Sequence, residues 1–171
     1  MPVGDRSQRV VVFPVDVAAV AENLPGGGHA TLALGGRGAG GAALFLAFEH
    51  GLDRDVDVEA AYLVVDPAPG AITASTWVEV EVRDVPRAFD GAAVDWRRRP
   101  ATGRPAALGR TRGAEGTPLR VDVTELVRDW LRGGQRDGRI ALVARADADV
   151  GATFSTGLGA GAAPRLEVYL R

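Results

Sequence analysis

Residues 35–41 read GGRGAGG and residues 42–49 read AALFLAFE. Gly36, Gly38 and Gly41 fit G-x-G-x-x-G, the spacing of a loop that delivers a dinucleotide pyrophosphate to the first turn of a helix. That reading requires AALFLAFE to be helical. If it is a strand, the glycines serve only as the turn that joins it to HATLAL at 29–34. The chain is then a candidate binding module and not a nucleotide enzyme. The octet alone does not decide, because it is continuously apolar, poor in β-branched residues and compatible with either state.

The flanking sequence is strand-like. RVVVFPV (9–15), HATLAL (29–34), VEAAYLVVD (58–66), STWVEVEVRDV (75–85), LRVDV (119–123), RIALVARA (139–146), GATFST (151–156) and RLEVYL (165–170) recur at short intervals. Most are separated by glycine, proline or aspartate. Residues 75–85 alternate, with Val78, Val80 and Val82 on one face and Trp77, Glu79 and Glu81 on the other. Many short strands without alternating long helices predict an all-β sandwich or barrel.

One segment has a different period. In DVTELVRDWLRGG (122–134), Val123, Leu126, Val127, Trp130 and Leu131 form a single helical stripe. The spacing predicts a short helix near 124–132, opened by Thr124 or by Asp122 with Glu125, and ended by positive φ at Gly133 and Gly134. So short a helix must dock by its apolar stripe, which makes Trp130 a core residue. Residues 86–118, rich in proline and glycine, read as one long loop.

Composition narrows the function. A chain of 171 residues suits one domain, with residues 1–8 as a loose extension. There is no cysteine, which excludes disulfides, thiolate metal sites and a cysteine nucleophile. Twenty basic residues, all arginine, against 22 acidic ones give a net charge of −2, too balanced to point to nucleic acid or a membrane surface. The first 15 residues lack the pattern of a secretory signal, and no stretch approaches the roughly 20 apolar residues of a membrane helix.

The order of motifs resembles the DNRLRE domains, also described as family 96 carbohydrate-binding modules. The residues that carry the resemblance are GGGHATLALGG (26–36), AALFLAFE (42–49), VEAAYLVV (58–65), VDWRRRPATG (94–103), VDVTELVRDWLRG (121–133), GRIALVARAD (138–147) and APRLEVYLR (163–171). The pairing of D-W-x-x-R-P with V-T-x-L-V-x-x-W-L some 25 residues later is its most specific part. The resemblance implies an antiparallel β-sandwich of jelly-roll type, AALFLAFE as a strand, no nucleotide loop, and a largely extracellular family of modules, some of them attached to polysaccharide-acting enzymes. It also implies that Trp96 anchors its loop to the body. Arg97 stands where the family usually carries asparagine, and GATFSTG replaces a polar S-R-E run.

The candidate site residues follow from pattern and register. Trp77, Glu79 and Glu81 face outward, and by the family register so does Tyr62, with Ala61, Leu63 and Val65 inward. A hairpin centred near Gly70 would bring Tyr62 and Trp77 onto one face. Aromatics beside carboxylates can stack a sugar's C–H face and bond its hydroxyls, or form a hot spot for a protein partner. The run Arg97–Arg98–Arg99 is a second candidate, for an anionic sugar or a carboxylate surface. Asp53, Asp55 and Asp57 are a weak calcium candidate, because the run lacks EF-hand spacing. Asp147 and Asp149 share that ambiguity. His29 and His50 read as turn residues, and no serine lies in G-x-S-x-G. The expectation is a non-catalytic module that binds polysaccharide or attaches to a surface, without cofactor save an open question over structural calcium. The alternative is an assembly subunit of a particle, fibre or coat, with protein subunits as partners and homo-oligomerisation open.

Overall fold

The computed structural model describes residues 7–35, 41–69, 77–111, 117–145 and 151–171. It is an antiparallel β-sandwich with one short helix. The strands are β1 (Gln8–Val12), β2 (Pro14–Ala21), β3 (Thr31–Gly35), β4 (Ala42–Glu49), β5 (Val58–Val65), β6 (Val78–Asp84), β7 (Pro105–Thr111), β8 (Leu119–Asp122), β9 (Asp137–Ala144), β10 (Gly151–Ser155) and β11 (Arg165–Leu170), with helix α1 at Thr124–Arg132. One sheet has the order β1-β11-β5-β8 and the other β2-β4-β9-β6-β7; β10 and β3 form a two-stranded sheet. Among the described residues no helix is long and apolar enough to cross a membrane.

AALFLAFE is strand β4, paired with β2 and β9. No helix follows Gly41, so the requirement of a pyrophosphate loop is not met. Gly36 and Gly38 lie outside the described residues.

The main core lies between the sheets. Ala61, Leu63 and Val65 of β5 and Leu166 and Val168 of β11 face Val78, Val80 and Val82 of β6 and Ile140 and Leu142 of β9. The helical stripe closes one end, with Leu126, Val127, Trp130 and Leu131 all buried. Thr124 ties the helix to β5 by accepting the Ala61 amide at 2.9 Å. Arg128 donates to the Val58 carbonyl at 2.7 Å. Val123 occupies the N-cap position, and Asp122 Oδ1 accepts the Thr124 amide at 2.9 Å. At the other end Gly134 adopts φ +68, whereas Gly133 stays right-handed at φ −72 and is not the left-handed cap expected of it.

A second apolar cluster lies on the outer face of the five-stranded sheet. Ala18, Val20, Ala43, Phe45 and Ala141 present there, and the chain after β6 folds over them with Val85, Val94, Phe89 and Trp96. Phe89 meets Phe45 edge-on, with ring centroids 6.0 Å apart. Both faces of β4 are therefore buried, which is why its sequence does not alternate. The Gly91 amide donates to Asp16 Oδ2 at 2.8 Å and pins the short 3-10 turn Gly91–Ala93.

Two expectations are corrected. The long loop assigned to 86–118 contains β7, which pairs with β6 from Val78↔Thr111 to Arg83↔Pro105. The β5–β6 hairpin does not exist, because β5 pairs with β11 and β8 in one sheet and β6 with β7 and β9 in the other. After β5 the chain is captured by β10 instead of turning back. Ala68 N–H donates to Thr153 O at 3.0 Å, and Ser155 N–H to Asp66 O at 2.9 Å. Strand β6 belongs to the opposite sheet. Tyr62 and Trp77 consequently lie on opposite outer faces of the sandwich.

Candidate binding site

Strand alternation sends Glu79, Glu81 and Arg83 of β6 outward, because Val78, Val80 and Val82 fill the core. On β9 Val143 stands beside Glu81, and just past the strand's end the Arg145 amide donates to Glu79 O at 3.2 Å. The loop 94–102 rises next to these strands, and between them lies an open cleft of about 740 Å³. Phe45, Ala43 and Val143 form its floor, and Trp96, Arg97, Arg99, Arg83 and Arg145 its walls. Among the described residues its lining contains four arginines and no carboxylate, and Thr102 is the sole side-chain hydroxyl.

The loop is held by its own residues. Asp95 Oδ1 accepts the amides of Arg97 at 2.9 Å and Arg98 at 2.8 Å. Arg98 turns back to Asp95 Oδ2 in an ion pair at 2.7 Å. The Arg98 guanidinium, with the two amides, holds the Asp95 carboxyl below its ordinary range. Arg99 lies over the Trp96 ring, 3.8 Å from its centroid, and donates to the Trp96 carbonyl. The Trp96 ring in turn rests on the backbone of Gly41: a Cβ there would come within 2.3 Å of the indole. Only glycine admits so close an approach, so Gly41 seats the anchor of the loop.

The wall arginines are of two kinds. Arg83 is bound to Glu81 at 2.6 Å and Arg145 to Glu79 at 2.7 Å. Arg97 is exposed and has no ion-pair partner among the described residues. Beyond the Glu79–Glu81 ridge the same face continues to Trp77, 47% exposed, and Leu108, 62% exposed. Arg110 bridges the two areas, 3.7 Å from Glu79 and 5.1 Å from the centre of the Trp77 ring.

The structure therefore joins two of the sequence-derived candidates on one face, Trp77–Glu79–Glu81 and the arginine loop, and separates Tyr62 from both. Within the loop it places Arg97 and Arg99 at the cleft, whereas Arg98 is engaged by Asp95 and lines a neighbouring groove. Sequence reasoning missed Arg83 and Arg145. Arg83 shares the outward parity of Glu79 and Glu81, a signal that could have found it. Arg145 became a neighbour only through the β6–β9 pairing.

Tyr62 sits in a different setting. Arg120 covers its ring at 4.0 Å, and Tyr169 meets it edge-on at 6.1 Å. Beside them Glu167, 3% exposed, binds Arg9 at 2.7 Å, Arg120 at 2.8 Å and Arg165 at 3.3 Å. Burial raises the Glu167 pKa, but the bonds from Arg120, Arg9 and Arg165 outweigh it and hold the carboxyl below its ordinary value. One face of the Tyr62 ring is thus already taken by a guanidinium.

Asp53, Asp55 and Asp57 are exposed around a turn, and among the described residues no three acidic or histidine side chains gather as metal ligands. Asp147 and Asp149 lie outside the described residues. His50 is buried, not a surface turn residue. Its ring lies parallel to Trp130 at 6.2 Å, and Nδ1 accepts the Leu52 amide at 3.2 Å. Burial lowers its pKa, opposed by the Asp137 carboxylate and the Gln135 backbone. No protein-family model matches the chain, and no curated protein matches it.

Proposed function

We propose that this domain is a non-catalytic binding module that takes a polysaccharide chain in the cleft of Trp96, Arg97, Arg99, Arg83 and Arg145. The observation that carries the reading is the lining itself, which among the described residues has four guanidinium groups around an apolar floor and no carboxylate. Guanidinium forks bind carboxylate or sulfate groups in two parallel hydrogen bonds, and aromatic and aliphatic surface takes up the apolar side of a sugar ring. The chosen ligand class is therefore an anionic polysaccharide. Among the described residues the lining supplies no histidine, carboxylate or serine to act as acid, base or nucleophile, which agrees with binding without turnover. The resemblance to DNRLRE domains, with their jelly-roll fold, agrees with this reading and is part of the proposal.

Affinity electrophoresis tests it, with neutral and acidic polysaccharides cast into native gels. An acidic polysaccharide should retard the protein, and added salt should weaken the retardation. Arg97→Ala should reduce affinity about tenfold or more, because a charge-assisted hydrogen bond contributes about 1.5–3 kcal/mol. No retardation by any polysaccharide, or an Arg97→Ala variant that binds as the parent does, would refute the proposal.

A further inference from the structure

The run Arg97–Arg98–Arg99 serves two depressions. Arg97 and Arg99 line the cleft, whereas Arg98 lines a second groove of about 630 Å³. Among the described residues the two share Pro100 and Ala101 on their linings and nothing else. Neither residue carries a long side chain, so the divide between cleft and groove is low. Phe89, seated edge-on against Phe45 of β4, and Pro86 give the groove an apolar surface. Two guanidinium groups accompany that surface. Asp95 takes the Nε of Arg98 at 2.9 Å and its Nη2 at 2.7 Å. The Nη1 group has no partner among the described residues, so Arg98 is fixed by one edge with donors left over. Arg87 is exposed and has no ion-pair partner among the described residues. Asp90 is the single carboxylate on the described lining. Its Oδ1 accepts the Ala92 amide at 3.0 Å, and its other oxygen can accept a sugar hydroxyl.

We infer that this groove is a second subsite for the same anionic polysaccharide, which runs from the cleft across Pro100 and Ala101. Its next sugar units lie on Phe89 and Pro86, and Arg87 and Arg98 receive their acidic groups. The inference rests on the polysaccharide reading of the cleft and adds to it a dependence on chain length. The chemistry of the two places matches: guanidinium forks take carboxylate or sulfate, and apolar surface takes the C–H side of a ring. Once the cleft holds one part of a chain, the groove meets the next part at a high effective concentration, so a chain long enough for both binds more tightly than either place alone would hold it. The arginine run is then divided between consecutive stretches of one polymer, two side chains to the cleft and one to the groove.

Calorimetric titration tests the second subsite, with oligogalacturonates and sulfated dextran oligomers graded by length. Arg87→Ala removes a groove cation and Ala88→Trp fills the groove with an indole; neither position lines the cleft. Oligomers too short to leave the cleft should bind the parent and both variants alike. Above a threshold length the parent should bind about tenfold or more tighter, the worth of one charge-assisted hydrogen bond, and both variants should lose that gain. A longer chain also offers more registers to a single site, but that gain would persist in both variants. Arg97→Ala should weaken binding at every length. Affinity that is flat with length, or a gain that survives in Arg87→Ala or Ala88→Trp, would overturn the second subsite and leave the cleft reading standing. If oligomers of no length bind, the polysaccharide reading falls and the subsite with it.

Discussion

Trp130 and Gly138 form a pair whose coupling can be worked from the geometry. Trp130 is 4% exposed, and its indole N–H donates to Asp84 Oδ1 at 3.3 Å. One face of its ring is parallel to His50, and the ring lies against Gly138 of β9, where an added Cβ would come within 2.3 Å of ring carbons. Truncating Trp130 to alanine removes its packing against Gly138 and His50 and its bond to Asp84. Such a change costs about 3–5 kcal/mol. At about 2–4 °C per kcal/mol for a domain of this length, the melting temperature should fall by roughly 6–20 °C. Gly138→Ala alone drives a methyl into a ring wedged between two layers, and overpacking of this kind costs about 1–3 kcal/mol. In the Trp130→Ala background that methyl enters vacated space. Its cost should vanish or reverse, so the two changes should be non-additive by about 1–3 kcal/mol. Urea unfolding followed by far-UV circular dichroism, on the parent, both single variants and the double variant, measures every corner of the cycle. A loss below about 1 kcal/mol for Trp130→Ala, or additivity within about 0.5 kcal/mol, would refute the packing argument.

Three further outcomes follow from the same structure. The folded state lowers the His50 pKa from 6.5, so the unfolded chain binds the extra proton more readily. Stability is therefore full above pH 6.5 and declines as the pH falls from there toward the lowered value, and the melting temperature of the parent should fall more between pH 7 and 5 than that of His50→Gln; parallel curves would contradict this. The Glu167 pKa is lowered from 4.5, so its contribution is full above that pH and is lost on further acidification. At neutral pH Glu167→Gln should cost about 1–3 kcal/mol in urea unfolding, the lower range because Arg9 and Arg120 can rehydrate, and a neutral result would show that the arginine cluster does not need its carboxylate. Gly41→Ala should unseat Trp96 and weaken polysaccharide retardation while global unfolding shifts by less than about 3 kcal/mol; unchanged retardation would show that the seat of Trp96 does not shape the cleft.

Much of the fold is legible in the residues. The valines at 78, 80 and 82 mark an inward face, and the stripe from Val123 to Leu131 marks the helix with its boundaries. Two strands were hidden by tertiary context. β2 continues through VAAVA because Ala18 and Val20 are covered on the outer face, so nothing alternates there. β7, PAALGRT, has little strand character of its own and forms because β6 pairs with it. Gly109 is required within it, since a Cβ there would come within 2.5 Å of Val121 on β8. The site was legible only in pieces. Outward parity placed Trp77, Glu79 and Glu81, and the loop motif exposed the arginines. Sheet membership cannot be read from parity, so Tyr62 was assigned to the wrong face. The cleft itself depends on β6, β9 and the 94–102 loop meeting, which no local pattern encodes.

The three tryptophans give a direct measurement of where a ligand binds. Each indole N–H gives one cross-peak in a proton–nitrogen correlation spectrum, and Trp77→Phe and Trp130→Phe assign them. Titration with an oligosaccharide of an acidic polysaccharide should move the Trp96 peak saturably, shift the Trp77 peak less, and leave Trp130 in place. In Arg97→Ala the Trp96 shift should require about tenfold more ligand. If no oligosaccharide moves Trp96, or if Trp96 moves equally in Arg97→Ala, the cleft is not a polysaccharide site.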